Sequence, residues 1–388
     1  SKRSKLKYNQ TIAIIANLRH NNMAHSKITG YFLSLLKASL DTRQPIPSEK
    51  LTTDEWAQIF EMSKKQNMTA LLSAGIERLD LEVLPPRLIL LQWLVANECV
   101  RKHNIVMNRA SAGIQSRLAK DGFASCLLKG QGVASYYPDP YKRIPGDIDL
   151  WVDCNRHDFI AYITERFPNP DIKYRDIDVL ISKDIEAEFH FTPAVFNNYF
   201  NNAQLQEYFR SNKSLQFRNY VVLSTGGEKV CTPTNDFNRI YLLVHLFNHY
   251  LYEGIGLRQF VDYYFLLKQG FTQKEKENDI QTLRELGLMK FTAATMYILK
   301  ECLGLENNLL LTEPNADEGK QLLNCILQGG NFGKYDPRNE ARITYSLATF
   351  CRHMSRNTHY VKSYPGEVLS SPFFKLWHYC YRKANRYI

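Results

Sequence analysis

The hydrophobic and polar positions change period twice along the chain and divide it into three stretches. From about Lys27 to Gly122 the spacing is helical. Ile28, Phe32, Leu35 and Leu36 share one face, and Trp56, Ile59, Phe60 and Ser63 share another after a Thr53-Asp54-Glu55 start. Leu71, Leu72, Ile76 and Leu79 continue the pattern, Pro85-Pro86 interrupts it, and Leu88 to Ala119 predicts one or two long helices. At Phe123 the period shortens. Ala124 to Leu128 is a short apolar run, Val133 to Tyr137 a short helix, Asp147 to Val152 a strand and His157 to Phe167 a helix. Ile177 to Ile181 and Ala187 to Phe191 predict two strands joined by the polar turn Ser182-Lys183-Asp184. Tyr220 to Leu223 and Lys229 to Cys231 predict a further hairpin. From Pro233 onward the period is helical again, over Phe237 to Leu251, Leu257 to Gln269, Asp279 to Leu303 and Thr344 to Asn357. After a Pro365-Gly366 loop, a last amphipathic helix runs over Pro372 to Tyr387. The expected class is α+β: a small mixed-sheet α/β domain over residues 104–232, flanked by helical regions over 1–103 and 233–388.

Composition narrows what such a fold does. With 388 residues, 44% hydrophobic and 23% charged, the chain is globular, and disorder or a coiled coil is excluded as the main architecture. No apolar run approaches the length of a membrane span. Thr11 to Ala16 is too short for a signal-peptide core, and none of the eight cysteines forms a C-x-x-C pair. The expectation is a cytoplasmic protein with reduced thiols, no zinc site and no disulfide framework. The net charge of +10 sits at the two ends: four basic residues in 1–7, and seven basic residues against one acid in 351–388. The remainder is neutral, so a nucleic-acid groove across the core is disfavoured. The C-terminal basic residues are interleaved with aromatics such as Phe373, Phe374, Trp377 and Tyr381. That pattern suits RNA stacking or an anionic surface; a helix docked by its aromatic face is preferred.

The candidate chemistry lies in the middle stretch. Asp147 and Asp149 are two apart on a predicted strand, so both carboxylates share one face while Ile148 and Leu150 take the other. That geometry suits one or two magnesium ions, which take a few carboxylates plus substrate phosphates. It equally suits solvated acids or acids paired with Arg143. D-x-D alone is weak: a second copy, Asp176-Ile177-Asp178, follows Pro168-Asn169-Pro170 rather than a glycine turn, and no role is expected for it. Before the first copy, Leu128-Lys129-Gly130 ends a strand and opens a helix, where a glycine lets backbone approach a phosphate. After it, Glu186, Glu188 and His190 alternate on a strand and offer a third carboxylate. Without a cation, Asp147, Asp149 and Glu188 are expected to crowd as like charges, so that Asp149→Asn would relieve repulsion. His245 and His249 share a helix face, but Leu246 follows the first, so this is not the H-E-x-x-H zinc motif. A substrate-pocket role and a polar helix contact both fit them. Arg258 and Asp262 are spaced as a helix ion pair.

The stretches Leu127-Leu128-Lys129-Gly130, Tyr137-Pro138-Asp139-Pro140, Arg143, Gly146-Asp147-Ile148-Asp149-Leu150 and Glu188-Phe189-His190 together resemble the bacterial uncharacterised nucleotidyltransferase family of the polymerase-β-type superfamily. The later His245, His249, Arg258 and Asp262 resemble that family's C-terminal helices, and the likeness spans roughly residues 30–300. The resemblance implies a nucleotidyltransferase α/β core and Mg²⁺- or Mn²⁺-dependent transfer of a nucleoside monophosphate from a triphosphate, with release of pyrophosphate. Asp147, Asp149 and Glu188 would hold metal. Lys129, Gly130, Gln131 and Arg143 would meet the nucleotide. His190, His245 and His249 would line a substrate pocket. Gln131 departs from the small residue usual after the glycine. The acceptor stays open: a small molecule, a sugar, a protein side chain or an RNA end. Two rivals remain: a nucleotide-binding protein without turnover on the same scaffold, and a metal-dependent glycosyltransferase, which would place a βαβ unit before its D-x-D.

Overall fold

In the computed structural model the residues described are 27–224, 226–331 and 360–387. Helix α1, over 27–40, buries Ile28, Tyr31, Phe32, Leu35 and Leu36 as its spacing requires. Helix α2 (Thr53–Lys65) starts at a capping box: the Thr52 hydroxyl accepts from the Glu55 N–H while the Glu55 carboxylate accepts from the Thr52 N–H. α3 (Thr69–Ile76) is buried almost all round. Leu88 to Ala119 lies in a single 34-residue helix, α4 (Arg87–Lys120), which runs without a break across position 103.

The middle stretch is a five-stranded sheet: β1 (Ala124–Leu127), β2 (Ile148–Asp153), β3 (Asp171–Ile172), β4 (Asp176–Ser182) and β5 (Ile185–His190), in spatial order β1-β2-β5-β4-β3. The β2–β5 pair is parallel and the other pairs are antiparallel, so the sheet is mixed and the architecture is α+β. Helices α5 (Gly130–Ala134) and α6 (Arg156–Arg166) follow β1 and β2. Alternation divides the two sheet faces. Ile148, Leu150, Ala187, Phe189, Ile177 and Val179 pack with Phe159 and Ile163 of α6 in one core. The opposite face carries Asp149, Glu188, His190, Asp176 and Asp178, with Trp151 at its apolar end stacked on Phe237 at 5.8 Å.

After the sheet come α7 (Tyr199–Gln216), a two-stranded ribbon of β6 (Tyr220–Val222) and β7 (Lys229–Cys231), and the helices α8 (Asn235–Tyr252), α9 (Leu257–Leu267), α10 (Gln273–Glu285), α11 (Met289–Tyr297), α12 (Ala316–Gly329) and α13 (Pro365–Ala384); Leu223 and Val230 of the ribbon segment join the core under α6. One hydrophobic core joins the first helices to the last, from Trp56 and Trp93 through Leu243 and Tyr263 to Val368.

Several boundaries differ from the periodicity. The helix expected over Asp279 to Leu303 is broken at Gly287, whose φ of 71° an L side chain rarely adopts. α13 begins at Pro365 rather than Pro372, because proline suits the first helical position. α7 and α12 have no counterpart in the periodicity reading. The helix expected over Thr344 to Asn357 lies outside the described residues. No helix among the described residues is long and apolar enough to cross a membrane, and the seven described cysteines are all free.

Candidate active site

The site is assembled at the ends of β1 and β2 and on the polar face of the sheet. β1 ends at Leu127, and Lys129 turns the chain into α5. Gly130 has φ +56°, and a Cβ there would stand 3.5 Å from the Asp147 carbonyl, so backbone amides lie against the start of β2. The pairing of β1 with β2 brings Lys129 beside Asp149: Nζ is 2.7 Å from Oδ1, with the carboxylate 1% exposed.

Parallel pairing sets Asp149 opposite Glu188 and Trp151 opposite His190. His190 Nε2 comes within 3.0 Å of Asp149 Oδ1 and 3.4 Å of Glu188 Oε2. Burial pushes this imidazole down, but its hydrogen bonds to Asp149 and Glu188 win and raise it to about 9. Burial would raise the Asp149 carboxyl; Lys129 and His190 outweigh it and lower it. Glu188 follows the same balance, with burial opposed by the His190 hydrogen bond, and lies well below the usual carboxylate range. The expected crowding of three unbalanced acids is therefore corrected: Asp149 and Glu188 are charge-compensated by side chains of the chain itself. Asp147 alone keeps the expected behaviour. Its carboxyl is raised, first by the Asp149 charge and then by burial.

The second D-x-D is not remote. β4 pairs with β5 so that Asp178 faces Glu188 and Asp176 faces His190. Asp176 is fully buried, pairs with Arg175, and lies 3.9 Å from His190 Nδ1. Lys173 pairs with Asp178. Two sets of side chains bring possible ligand atoms within 4.8 Å of one another: Asp149, Glu188 and His190, and Asp176, Asp178 and Glu188. In the second set Lys173 and Arg175 already stand on the carboxylates. Glu186 is exposed near the distal end of β5.

A cleft receives Lys129, Gly130, Asp147 and Asp149 from one side and Arg143 and His245 from others. His245 is held neutral, its pKa pushed well down by burial and then by the Lys129 charge. His249, one turn on, pairs with Glu253 at 2.9 Å and is not among the cleft-lining residues. Arg143 does not pair with Asp147 or Asp149. Its Nε and Nη2 donate to the two oxygens of Asp262, both at 2.8 Å, and the Tyr137 hydroxyl donates to the same carboxylate. The Gln131 side chain is turned out of the site altogether: Nε2 donates to Asn104 and Asn108 of α4. Of the four residues expected to meet the nucleotide, Gln131 is thus the one whose side chain points away from the cleft, and sequence reasoning missed Tyr137 and Gln259. Tyr137 lay in a quoted motif; Gln259 gave no signal beyond its place after Arg258.

A family model described as "Uncharacterised nucleotidyltransferase" matches residues 52–304. No curated protein matches the chain. Among solved structures, an antigenic nucleotidyltransferase-like protein from Paracoccidioides brasiliensis is 13% identical, covers 54% of this chain and 94% of its own, and has a TM-score of 0.33. A CCA-adding enzyme in complex with CTP is 11% identical over 68% of this chain and 76% of that one, with a TM-score of 0.21.

Proposed function

For a chain that belongs to the uncharacterised nucleotidyltransferase family, we propose polymerase-β-type transfer of a nucleoside monophosphate from a nucleoside triphosphate to an acceptor, with release of pyrophosphate. The observation that carries this reading is the meeting of Asp149 and Glu188 across the parallel β2–β5 pair, beside Asp147 and the Lys129-Gly130 turn in one cleft.

The donor set fits a hard divalent cation. Asp149, Glu188 and His190 offer ligand atoms within 4.8 Å of one another, and a nearby positive charge would offset the Asp149 repulsion that raises the Asp147 carboxyl. Asp147, Asp149 and Glu188 would hold Mg²⁺ or Mn²⁺. When bound, such ions neutralise phosphate charge and lower the pKa of an attacking hydroxyl. The acceptor oxygen forms a bond to the α-phosphorus, and the α–β anhydride bond breaks to release pyrophosphate. The low pKa of Glu188 suits a ligand better than a strong base. Lys129, now on Asp149, would be free to meet phosphate if a cation took its place there. Arg143, fixed by Asp262, faces the departing phosphates. The turn at Gly130 serves them with backbone N–H groups, a role that the outward Gln131 side chain leaves intact.

The rival without turnover draws on Gln131, whose side chain lies outside the cleft, and on the basic charge held at the two ends of the chain. The glycosyltransferase rival required a βαβ unit ahead of the D-x-D, whereas β1 and β2 are antiparallel neighbours. The test is pyrophosphate release from each of four triphosphates with Mg²⁺ or Mn²⁺, in the presence of small-molecule, RNA and protein extracts. Mass gain of one nucleotide identifies the acceptor. Absence of both metal-dependent nucleotide binding and pyrophosphate release in every combination would overturn the reading.

A further inference from the structure

The cleft has a second wall, contributed by the loop before β2 and the first turn of α9. Arg143 is 4% exposed; with Nε and Nη2 committed to Asp262, its Nη1 is buried with no hydrogen-bond partner. Gln259 is 5% exposed. Its Oε1 accepts from the Gly256 N–H at 3.2 Å, which fixes the amide, and Nε2 is likewise buried without a partner. Arg258, beside it, donates Nη1 to the Ile144 carbonyl. All three line the same cleft as Lys129, Gly130 and Asp147. The Asp262 oxygens on this wall are taken by Arg143 and Tyr137.

Buried donors left without acceptors cost free energy that a ligand recovers when it supplies them. This wall offers donors, and its guanidiniums share one carboxylate. Burial and then the Arg143 charge lower the pKa of Arg258 accordingly. The start of α9 adds the positive end of a helix dipole. A nucleobase or a sugar brings donors as well as acceptors and would leave some of them facing these N–H groups; a phosphoryl group brings acceptor oxygens.

We propose that this wall seats a phosphoryl group, the terminal phosphate of the bound triphosphate, and that Gln259 and Arg143 make the site select triphosphates over diphosphates. The inference rests on the nucleotidyl-transfer reading and assigns Gln259 a specificity role that reading does not contain. The other source of the same chemistry is a phosphate carried by the acceptor.

The test titrates the full chain, with Mg²⁺, with a non-hydrolysable triphosphate and the matching diphosphate. Gln259→Glu is the informative variant: it keeps an oxygen for the Gly256 N–H, replaces the free donor with an acceptor and sets a negative charge where the phosphoryl group would sit. The wild type is expected to prefer triphosphate by about tenfold or more, and the variant to lose most of that preference with diphosphate binding within about twofold. An unchanged preference in Gln259→Glu would overturn the proposal and leave the acceptor's phosphate as the occupant. Thermal melting checks that the variant is folded; if it is not, Arg143→Lys, which retains charge for Asp262 but lacks Nη1, carries the comparison. Inorganic tripolyphosphate separates the two readings. Wild-type binding of tripolyphosphate that Gln259→Glu weakens supports this wall even if no nucleotide binds. Nucleotide binding with no preference for triphosphate in the wild type sinks this inference alone.

Discussion

The imidazole of His190 lies between two carboxylates, with Nε2 3.0 Å from Asp149 Oδ1 and 3.4 Å from Glu188 Oε2. Its folded pKa of about 9 stands above the ordinary 6.5. A histidine raised in this way contributes stability that is fully present below pH 6.5 and lost as pH rises through about 9. The metal-free protein is expected to lose up to on the order of 3 kcal/mol across that window. Urea denaturation in a chelator at several pH values measures it. His190→Gln should flatten the profile; a wild-type profile that is already flat would contradict the charged imidazole.

Asp147, just before β2, and Asp149, within it, are expected to separate in the metal-free protein. Asp149→Asn removes the partner of both Lys129 and His190, and breaking such a buried pair costs about 3–5 kcal/mol. Asp147→Asn removes a carboxylate that Asp149 repels, so stability should hold or rise slightly. Both variants should lose the melting-temperature gain that Mn²⁺ with a triphosphate gives the wild type. Equal stabilities for the two metal-free variants would refute the pairing described.

Asp176→Asn is expected to be a stability variant. Asp176 is fully buried and pairs with Arg175, which without it keeps the more distant Glu188 at 3.8 Å, so stability should fall by about 1–3 kcal/mol. Metal-dependent nucleotide binding, measured below the lowered melting point, should survive. Its disappearance with full stability retained would move the metal site from β2 to β4.

Glu367 anchors the last helix. It accepts from the N–H groups of Asn197 and Asn198, the latter at 2.9 Å, and from the Tyr252 hydroxyl at 3.1 Å. Glu367→Ala leaves those donors unpaired, a cost of about 2–3 kcal/mol. The inward face of α13 also sets Trp377 against Tyr174 and Arg382 against Asp171. RNA binding at physiological salt is expected to be negligible with or without this substitution. Micromolar binding with a steep salt slope would give the basic end a different role.

Period-two alternation shows which side chains share a face of one strand, and that much of the site was legible: Asp147 with Asp149, and Glu188 with His190. Which strands are neighbours is set by tertiary packing. Nothing local to Asp176-Ile177-Asp178 says that β4 lies beside β5, so the second D-x-D looked idle. Lys129 reads as a phosphate ligand because it precedes a glycine turn; its contact with Asp149 needs the β1–β2 register. Arg143 finds its partner 119 positions away, beyond any local pattern. Adjacency of Gln131 to Gly130 does not fix the direction of its side chain. α5 begins at Gly130, and the Gln131 side chain points back to α4.

The parallel β2–β5 pair also orders the assembly of the molecule in time. Lys129 and Asp149 are 20 positions apart and meet through neighbouring strands, whereas Asp149 and His190 are 41 apart and meet only after α6, β3 and β4 have been laid down between them. Arg143 and Asp262 close a loop of 119. Loop-closure entropy grows with separation and slows non-local contacts. The cleft should therefore mature from its sheet side outward, the backbone amides of β2 and β5 gaining protection in pulse-labelled amide exchange before those of the first turn of α9. A nascent chain released before α9 has emerged would carry the acidic half of the cleft without its cationic wall.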